Sequence, residues 1–285
     1  MPHPDNKPAI AKEAITVALP VHNQANHLEK SMRAWIQFLR QRGREFEVIL
    51  IDDGSTDETG TLALALAKEN PEVTFMQQPA ARGFGAALRM ALEKAQYPLF
   101  FYTSLDYPYA PADLQKLLDR IDDVDLISGY RSGQKLPLSA RILQGFVSIA
   151  SLVFVGLKRD PLPGWLGWKA HLYSWLVRFL VGVHIVDVDS AFKLFRREIF
   201  ARIPIQSGGI LVHTEVIAKA NFLNYWMDEI PIGAGGGAAP AIPFSWREHF
   251  REMRRLLYEP DFGPATLPAR TMEAKATNSI ATPDG

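Results

Sequence analysis

Cysteine is absent from the 285 residues, which excludes a disulfide scaffold and any thiolate metal site and is compatible with a reducing compartment. An excess of either charge is also missing: 31 lysines and arginines stand against 31 aspartates and glutamates. Without a global basic field, nucleic acid is not an expected partner. Long apolar runs are scarce. Residues 142–157 carry no charge over 16 positions, short of the roughly 20 that a membrane-spanning helix needs. Met1 to Glu13 contains prolines and charges but no apolar run, so no signal peptide is expected and a cytoplasmic location is the default. No HExxH, Walker lysine motif or nucleophile elbow occurs, leaving metalloprotease, ATPase and α/β-hydrolase chemistry without support.

What is present suits one large globular domain, with 47% hydrophobic and 22% charged residues. Residues 1–13 and 260–285 are rich in Pro, Ala, Thr and charge without periodicity and read as flexible tails around a domain at 14–259. The first half alternates strands and helices. Ile15 to Leu19 is a short strand, and FEVILI (46–51) is the nearly continuous apolar run of a strand covered on both faces. Leu28, Met32, Trp35, Ile36 and Leu39 recur at helical spacing after Asn26 and Glu29, which resemble a capping box. Further strands are expected at Val73 to Met76, Leu99 to Tyr102 and Leu126 to Ser128, and further helices at Thr61 to Lys68, after Arg82-Gly83-Phe84-Gly85, and at Ala112 to Ile121. Such alternation implies a mainly parallel sheet with ligands beyond the carboxyl ends of its strands.

The second half differs. In Trp165 to Val183, Trp165, Trp168, Leu172, Trp175, Leu176 and Phe179 share one helical face, with His171, Ser174 and Arg178 opposite. Tryptophans and basic residues on an amphipathic helix suit a membrane interface. The alternative for 142–183 is a pair of core or homo-oligomer-interface helices.

Chemistry is expected where acids end strands. Asp52 and Asp53 close FEVILI and precede Gly-Ser-Thr-Asp. A carboxylate there can accept hydrogen bonds from a base or ribose, while Ser55 and Asp57 read as helix caps. Arg82-Gly83-Phe84-Gly85 offers glycines that let a backbone approach phosphate, with an arginine beside them, although such turns are more often structural. Asp106 follows the apolar LFFYTSL. Late in the chain, Asp187 and Asp189 read as turn residues or as walls of a pocket, and His213 and Glu215 are expected just before an apolar helix.

Taken in order, LPVHNQANHLEKSM, VILIDDGSTDET, RGFGAALRMAL, FYTSLDYPYAPADLQKLL, DLISGYRSG, DVDSAFKLFRREIF and HTEVIAKANFLNYWMDEIPI resemble glycosyltransferase family 2, in particular its polyprenyl-phosphate (dolichyl-phosphate) mannose and glucose synthases. The resemblance implies a glycosyltransferase-A type α/β sandwich. It also implies inverting transfer of a hexose from a nucleoside diphosphate sugar to a polyprenyl phosphate, on a peripheral membrane protein at the cytoplasmic face. It places Pro20, His22 and Gln24 along the nucleoside, Ile51 and Asp53 near the base, and Ser104, Leu105 and Asp106 at the Asp-x-Asp position that holds Mg²⁺ or Mn²⁺. Arg82, Arg131 and Arg141 would meet phosphate charge, and Asp187, Asp189, His213, Glu215 and Arg247 fall toward the sugar or acceptor pocket. Several positions depart from the pattern. Ser104 replaces the first Asp, Pro108 stands where a Gln is usual, and GAGGGAAPAIPFSW replaces a basic segment after EIPI. Two alternatives follow: a catalytically impaired member that binds nucleotide, lipid or a partner, and a transferase with a polysaccharide or other hydroxyl acceptor, which would need a base.

Overall fold

A computed structural model of the protein describes residues 13–105, 107, 109–132, 187–233 and 246–264. Seven strands form one sheet: β1 (Ile15–Val21), β2 (Phe46–Asp52), β3 (Val73–Gln77), β4 (Leu99–Thr103), β5 (Leu126–Ser132), β6 (Phe192–Arg196) and β7 (Met227–Gly233), in the order β3-β2-β1-β4-β6-β5-β7. Every pairing is parallel except those of β6, which runs antiparallel to both β4 and β5. The sheet is thus mainly parallel, with one reversed strand inserted between β4 and β5.

Helices α1 (Ala25–Arg40), α2 (Thr59–Glu69) and α4 (Asp113–Leu118) cover one face, and α3 (Phe84–Lys94) and α5 (Val212–Phe222) cover the other. The alternation of side chains along β2 decides this. Val48 and Leu50 join Leu28, Met32 and Trp35 of α1, whereas Ile49 and Ile51 meet Ala87, Leu88 and Ala91 of α3. Each large side chain so buried contributes about 2 kcal/mol. Trp35 packs its ring 5.6 Å from Phe101 and 6.3 Å from Phe192, joining α1 to β4 and β6. Gly43 ends the turn after α1 at φ 59° with open space around it, so its backbone conformation is what calls for glycine.

Several local expectations change. No capping box forms at Asn26: Gln24 is the N-cap and α1 starts at Ala25, two residues earlier than that box requires, and Glu29 instead pairs with Arg33 at 2.8 Å. The N-terminal amides are satisfied from another loop, with Asp57 accepting from Ala25 N at 3.2 Å. The helix expected at Ala112 to Ile121 stops at Leu118 and is followed by a 3-10 turn at Ile121–Asp123. His213 and Glu215 lie inside α5 rather than before it. Residues 259–263 adjoin the domain: Asp261 N donates to Gln206 Oε1 at 2.7 Å, and Phe262 stacks on Phe222 at 4.8 Å. Helix α6 (Trp246–Tyr258) precedes them. The apolar stretch 142–183 and Arg141 lie outside the described residues. Among those described, no helix is long and apolar enough to cross a membrane.

Candidate active site

The carboxyl ends of β1, β2, β3 and β4 share one edge, because Val21 pairs with Asp52 and Asp52 with Gln77. The loops that leave this edge are laced together. Ser55 caps the left-handed Asn23 (φ 52°) by accepting from its N–H at 2.9 Å, and Asn23 Oδ1 accepts from Thr56 N at 2.9 Å. Gln24 donates its N–H to Thr59 Oγ1 at 2.7 Å. Asp52 accepts from Ser55 N at 3.0 Å and Gln77 Nε2 at 2.9 Å. It is a turn anchor, with its carboxylate spent inside the protein.

Asp53 anchors the next loop. Its Oδ1 accepts from Arg82 N at 2.7 Å and Gln78 Nε2 at 3.0 Å, and its Oδ2 accepts from Gly83 N at 2.8 Å. Three charge-assisted bonds fix the approach to α3. The glycines of Arg82-Gly83-Phe84-Gly85 therefore answer to a protein neighbour. A Cβ on Gly83 would sit 2.6 Å from Gly208 O, and one on Gly85 would sit 2.2 Å from Ser207 O. Ala86 N donates to Gly208 O at 3.0 Å. The amides expected to approach phosphate are largely taken by Asp53 and Gly208, while the Arg82 side chain stands exposed at the edge.

His22 Nδ1 lies 2.8 Å from Asp53 O and Nε2 lies 3.1 Å from Asn23 Nδ2. A carbonyl can only accept, so Nδ1 carries the proton and Nε2 accepts. The ring is exposed on this edge. Pro20 and Ile51 pair across β1 and β2 and are both buried. Ile51 lies in the layer beneath α3, so strand alternation closes off a base contact through its side chain.

At the end of β4, Ser104 is buried and Leu105 packs against the core under α1 and α4. Asp106 lies outside the described residues, but its neighbour Tyr107 is described. Tyr107 and Tyr109 have ring centroids 4.6 Å apart, and the Arg131 guanidinium lies 5.3 Å from the Tyr107 centroid. Because β6 is reversed, the turn preceding it returns to this same edge and delivers Asp187. Arg131 grips Asp187 as a fork, Nε to Oδ2 at 2.7 Å and Nη2 to Oδ1 at 2.9 Å. Burial opposes both charges. The pairing prevails, holding the Asp187 carboxyl below its ordinary value and raising the Arg131 guanidinium. Tyr109 is pushed up to about 12, chiefly by burial.

Behind this pair lies a cluster that sequence reasoning missed. Lys193 is fully buried and donates to Val188 O at 3.0 Å and to Ser190 O. Burial pushes its ammonium down to about 8, against the pull of Asp187, Asp189 and Glu229. Asp189 is raised by burial and by Asp187, and accepts from Thr214 Oγ1 at 3.2 Å. Glu229 Oε1 accepts from Asp187 N at 3.3 Å. Position alone carried no signal for Lys193, since a lysine in a strand is ordinarily surface.

The remaining pocket candidates separate. His213 is buried against the Phe84 ring, with Nδ1 3.1 Å from the Tyr102 hydroxyl, and burial, then Lys193 and Arg131, hold it well below its ordinary pKa, so it is neutral. Glu215 is fully buried, pairs with Lys219 at 2.7 Å, and accepts from Gln206 N and Ser207 N at 2.7 Å each. Glu215 ties α5 to the loop before it, and His213 ties α5 to β4 and α3. Arg247 belongs to α6, and its side chain lies outside what is described. Among the described residues no three His, Asp or Glu side chains form a group that would hold a metal.

The mainly parallel sheet with helices on both faces is the α/β sandwich of a glycosyltransferase-A type domain. The chain belongs to glycosyl transferase family 2, whose model matches residues 16–203. It is 26% identical over 235 residues to the glycosyltransferase AglD of Haloferax volcanii, covering 80% of this chain and 34% of that protein. It is 27% identical over 201 residues to the polyprenol monophosphomannose synthase of Mycolicibacterium smegmatis, covering 66% of each. The dolichyl-phosphate beta-glucosyltransferase of Saccharomyces cerevisiae is 24% identical over 227 residues, with 76% and 66% covered. The chain thus spans about a third of the Haloferax volcanii relative and slightly under two thirds of the other two. A crystal structure of glucosyl-3-phosphoglycerate synthase from Mycobacterium tuberculosis with Mn²⁺, UDP and glucosyl-3-phosphoglycerate superposes with a TM-score of 0.58 at 18% identity, covering 87% of this chain and 78% of that one.

Proposed function

We propose that the protein transfers a hexose, with inversion, from a nucleoside diphosphate sugar to a polyprenyl phosphate, working peripherally at the cytoplasmic face of a membrane. The observation that carries this reading is the edge itself: the Asp53-anchored loops and the Arg131–Asp187 fork stand at the ends of parallel strands in a family 2 domain. The names of the relatives support the acceptor class.

A phosphate monoester has a second pKa of about 6 and is mostly dianionic at neutral pH. Its oxygen attacks the anomeric carbon, the bond from that carbon to the diphosphate oxygen breaks, and no protein base is needed. The chain's part is then orientation and charge stabilisation. Asp187 fixes the Arg131 guanidinium beside the Tyr107 ring near the Asp-x-Asp position, as one half of a neutral ion pair whose dipole is held in place. His22 presents its exposed ring at the nucleoside side, held by Asp53 O and Asn23 Nδ2, and Arg82 offers its exposed guanidinium to phosphate. At that position the donor set is the Asp106 carboxylate and the buried hydroxyl of Ser104. One carboxylate plus phosphate oxygens and water is an arrangement Mg²⁺ accepts, so the set fits a divalent ion bound together with a nucleotide diphosphate. When bound, Mg²⁺ or Mn²⁺ supplies neutralisation of the departing diphosphate.

The test is incubation of the protein with UDP-glucose or GDP-mannose, undecaprenyl or dolichyl phosphate in anionic vesicles, and Mn²⁺, with mass spectrometry of the lipid fraction. Sugar-lipid that disappears with a chelator and in Asp106→Ala is the expected result. No sugar-lipid from any donor would refute transfer to polyprenyl phosphate, and nucleotide binding with no turnover of the donor would establish a binding protein instead.

A further inference from the structure

Helix α6 reaches the donor edge through a loop that no substrate contact explains. Glu252 Oε1 accepts from Gly208 N at 2.8 Å and Gly209 N at 3.2 Å. A second tie joins the same loop to the end of α6: Gln206 Nε2 donates to Glu259 O at 3.0 Å, and Gln206 Oε1 accepts from Asp261 N at 2.7 Å. On its other side the loop is pressed into the start of α3. Gly208 O accepts from Ala86 N, and there is no room for a Cβ on Gly83 or Gly85. Gly83 N in turn donates to Asp53. A continuous hydrogen-bonded path therefore runs from Glu252 through Gly208 and the first turn of α3 to Asp53.

We propose that Glu252 is a positioning residue for the donor edge, latching α6 to the 205–209 loop and thereby holding the Arg82–Gly83 approach in shape for a nucleoside diphosphate. The assignment rests on the reading of that edge as the donor site. Two amides that would otherwise face solvent or a bare glycine turn are drawn onto one carboxylate, and glycine at 208 and 209 keeps the loop free to leave if the carboxylate goes. Stacked glycine backbones transmit such a displacement because neither side has a side chain to absorb it.

The experiment is hydrogen–deuterium exchange on the full chain as wild type, Glu252→Gln and Glu252→Ala, with calorimetric titration of UDP and of GDP. In Glu252→Ala the amides of Gly208, Gly209 and Ala86 exchange about tenfold faster or more, the effect of losing a bond to a charged group, and nucleotide affinity falls. Glu252→Gln keeps one acceptor oxygen and gives an intermediate effect, which separates the latch from general unfolding. Release of Gly208 and Gly209 with Ala86 unchanged overturns the coupling, as does no change at any of the three. Wild type binding neither UDP nor GDP would remove the donor-site reading alone, and exchange at Ala86 would still decide whether the latch exists.

Discussion

Replacing Asp53 by asparagine keeps the side chain's shape and removes its charge. Oδ1 now serves two donors, Arg82 N and Gln78 Nε2, and Oδ2 serves Gly83 N. An amide has one oxygen, which settles toward the pair and leaves its NH₂ facing the Gly83 N–H. One charge-assisted bond is lost outright and two become neutral. Bonds to charged groups contribute about 1.5–3 kcal/mol each and neutral ones about 1 kcal/mol. The sum for Asp53→Asn is a loss of about 2.5–7 kcal/mol, and its low end already amounts to roughly a hundredfold in the local opening equilibrium. Urea unfolding followed by circular dichroism reads the global part as a lower midpoint with an unchanged slope. Exchange of the Arg82 and Gly83 amides reads the local part. An unchanged midpoint and unchanged exchange, accompanied by lost nucleotide binding, would refute the anchoring role and make Asp53 a direct reader of the base.

Two further outcomes are expected. Gly85→Ala places a methyl 2.2 Å from Ser207 O, a backbone atom that can yield only by moving the loop; the expected cost is about 2–3 kcal/mol, seen as a lower thermal midpoint, and full stability would show the loop to be loosely held. Lys193 titrates at about 8 in the folded chain, against about 10.4 unfolded. Between those values the unfolded chain holds more protons, so this site adds stability as pH rises and withholds it below about 8. At about 1.4 kcal/mol per unit, wild type gains roughly 3 kcal/mol relative to Lys193→Met across that window; a stability difference that stays flat from pH 8 to 10.5 would contradict the buried, depressed ammonium.

The alternation of strand and helix was legible in the chain because it is written locally. FEVILI is apolar but for Glu47 since both faces of β2 are covered, and the helical spacing from Leu28 to Leu39 is the buried stripe of α1. The capping role of Asp57 was legible for the same reason, since it accepts from Thr59 N at the start of α2 as well as from Ala25 N of a neighbouring loop, whereas Ser55 accepts from Asn23 N across the edge and not from α2. The glycines before α3 announced a close approach without saying to what. Phosphate was one reading, and Gly208 is what the fold brings there.

Sequence by itself carried the family, through the order of its motifs, and the strand–helix alternation of the sandwich, since periodicity and turn chemistry act within a few residues of their cause. Tertiary structure alone decided which acids are free and which are spent. Arg131 and Asp187 are 56 residues apart and meet only because β6 runs backward to the shared edge. Asp53 looks like an open ligand until residues 25 to 30 positions away donate to it, and Glu252 gains a task only from glycines more than 40 positions earlier. A carboxylate's chemistry is set by the donors around it, and those donors are assembled by packing across the whole chain.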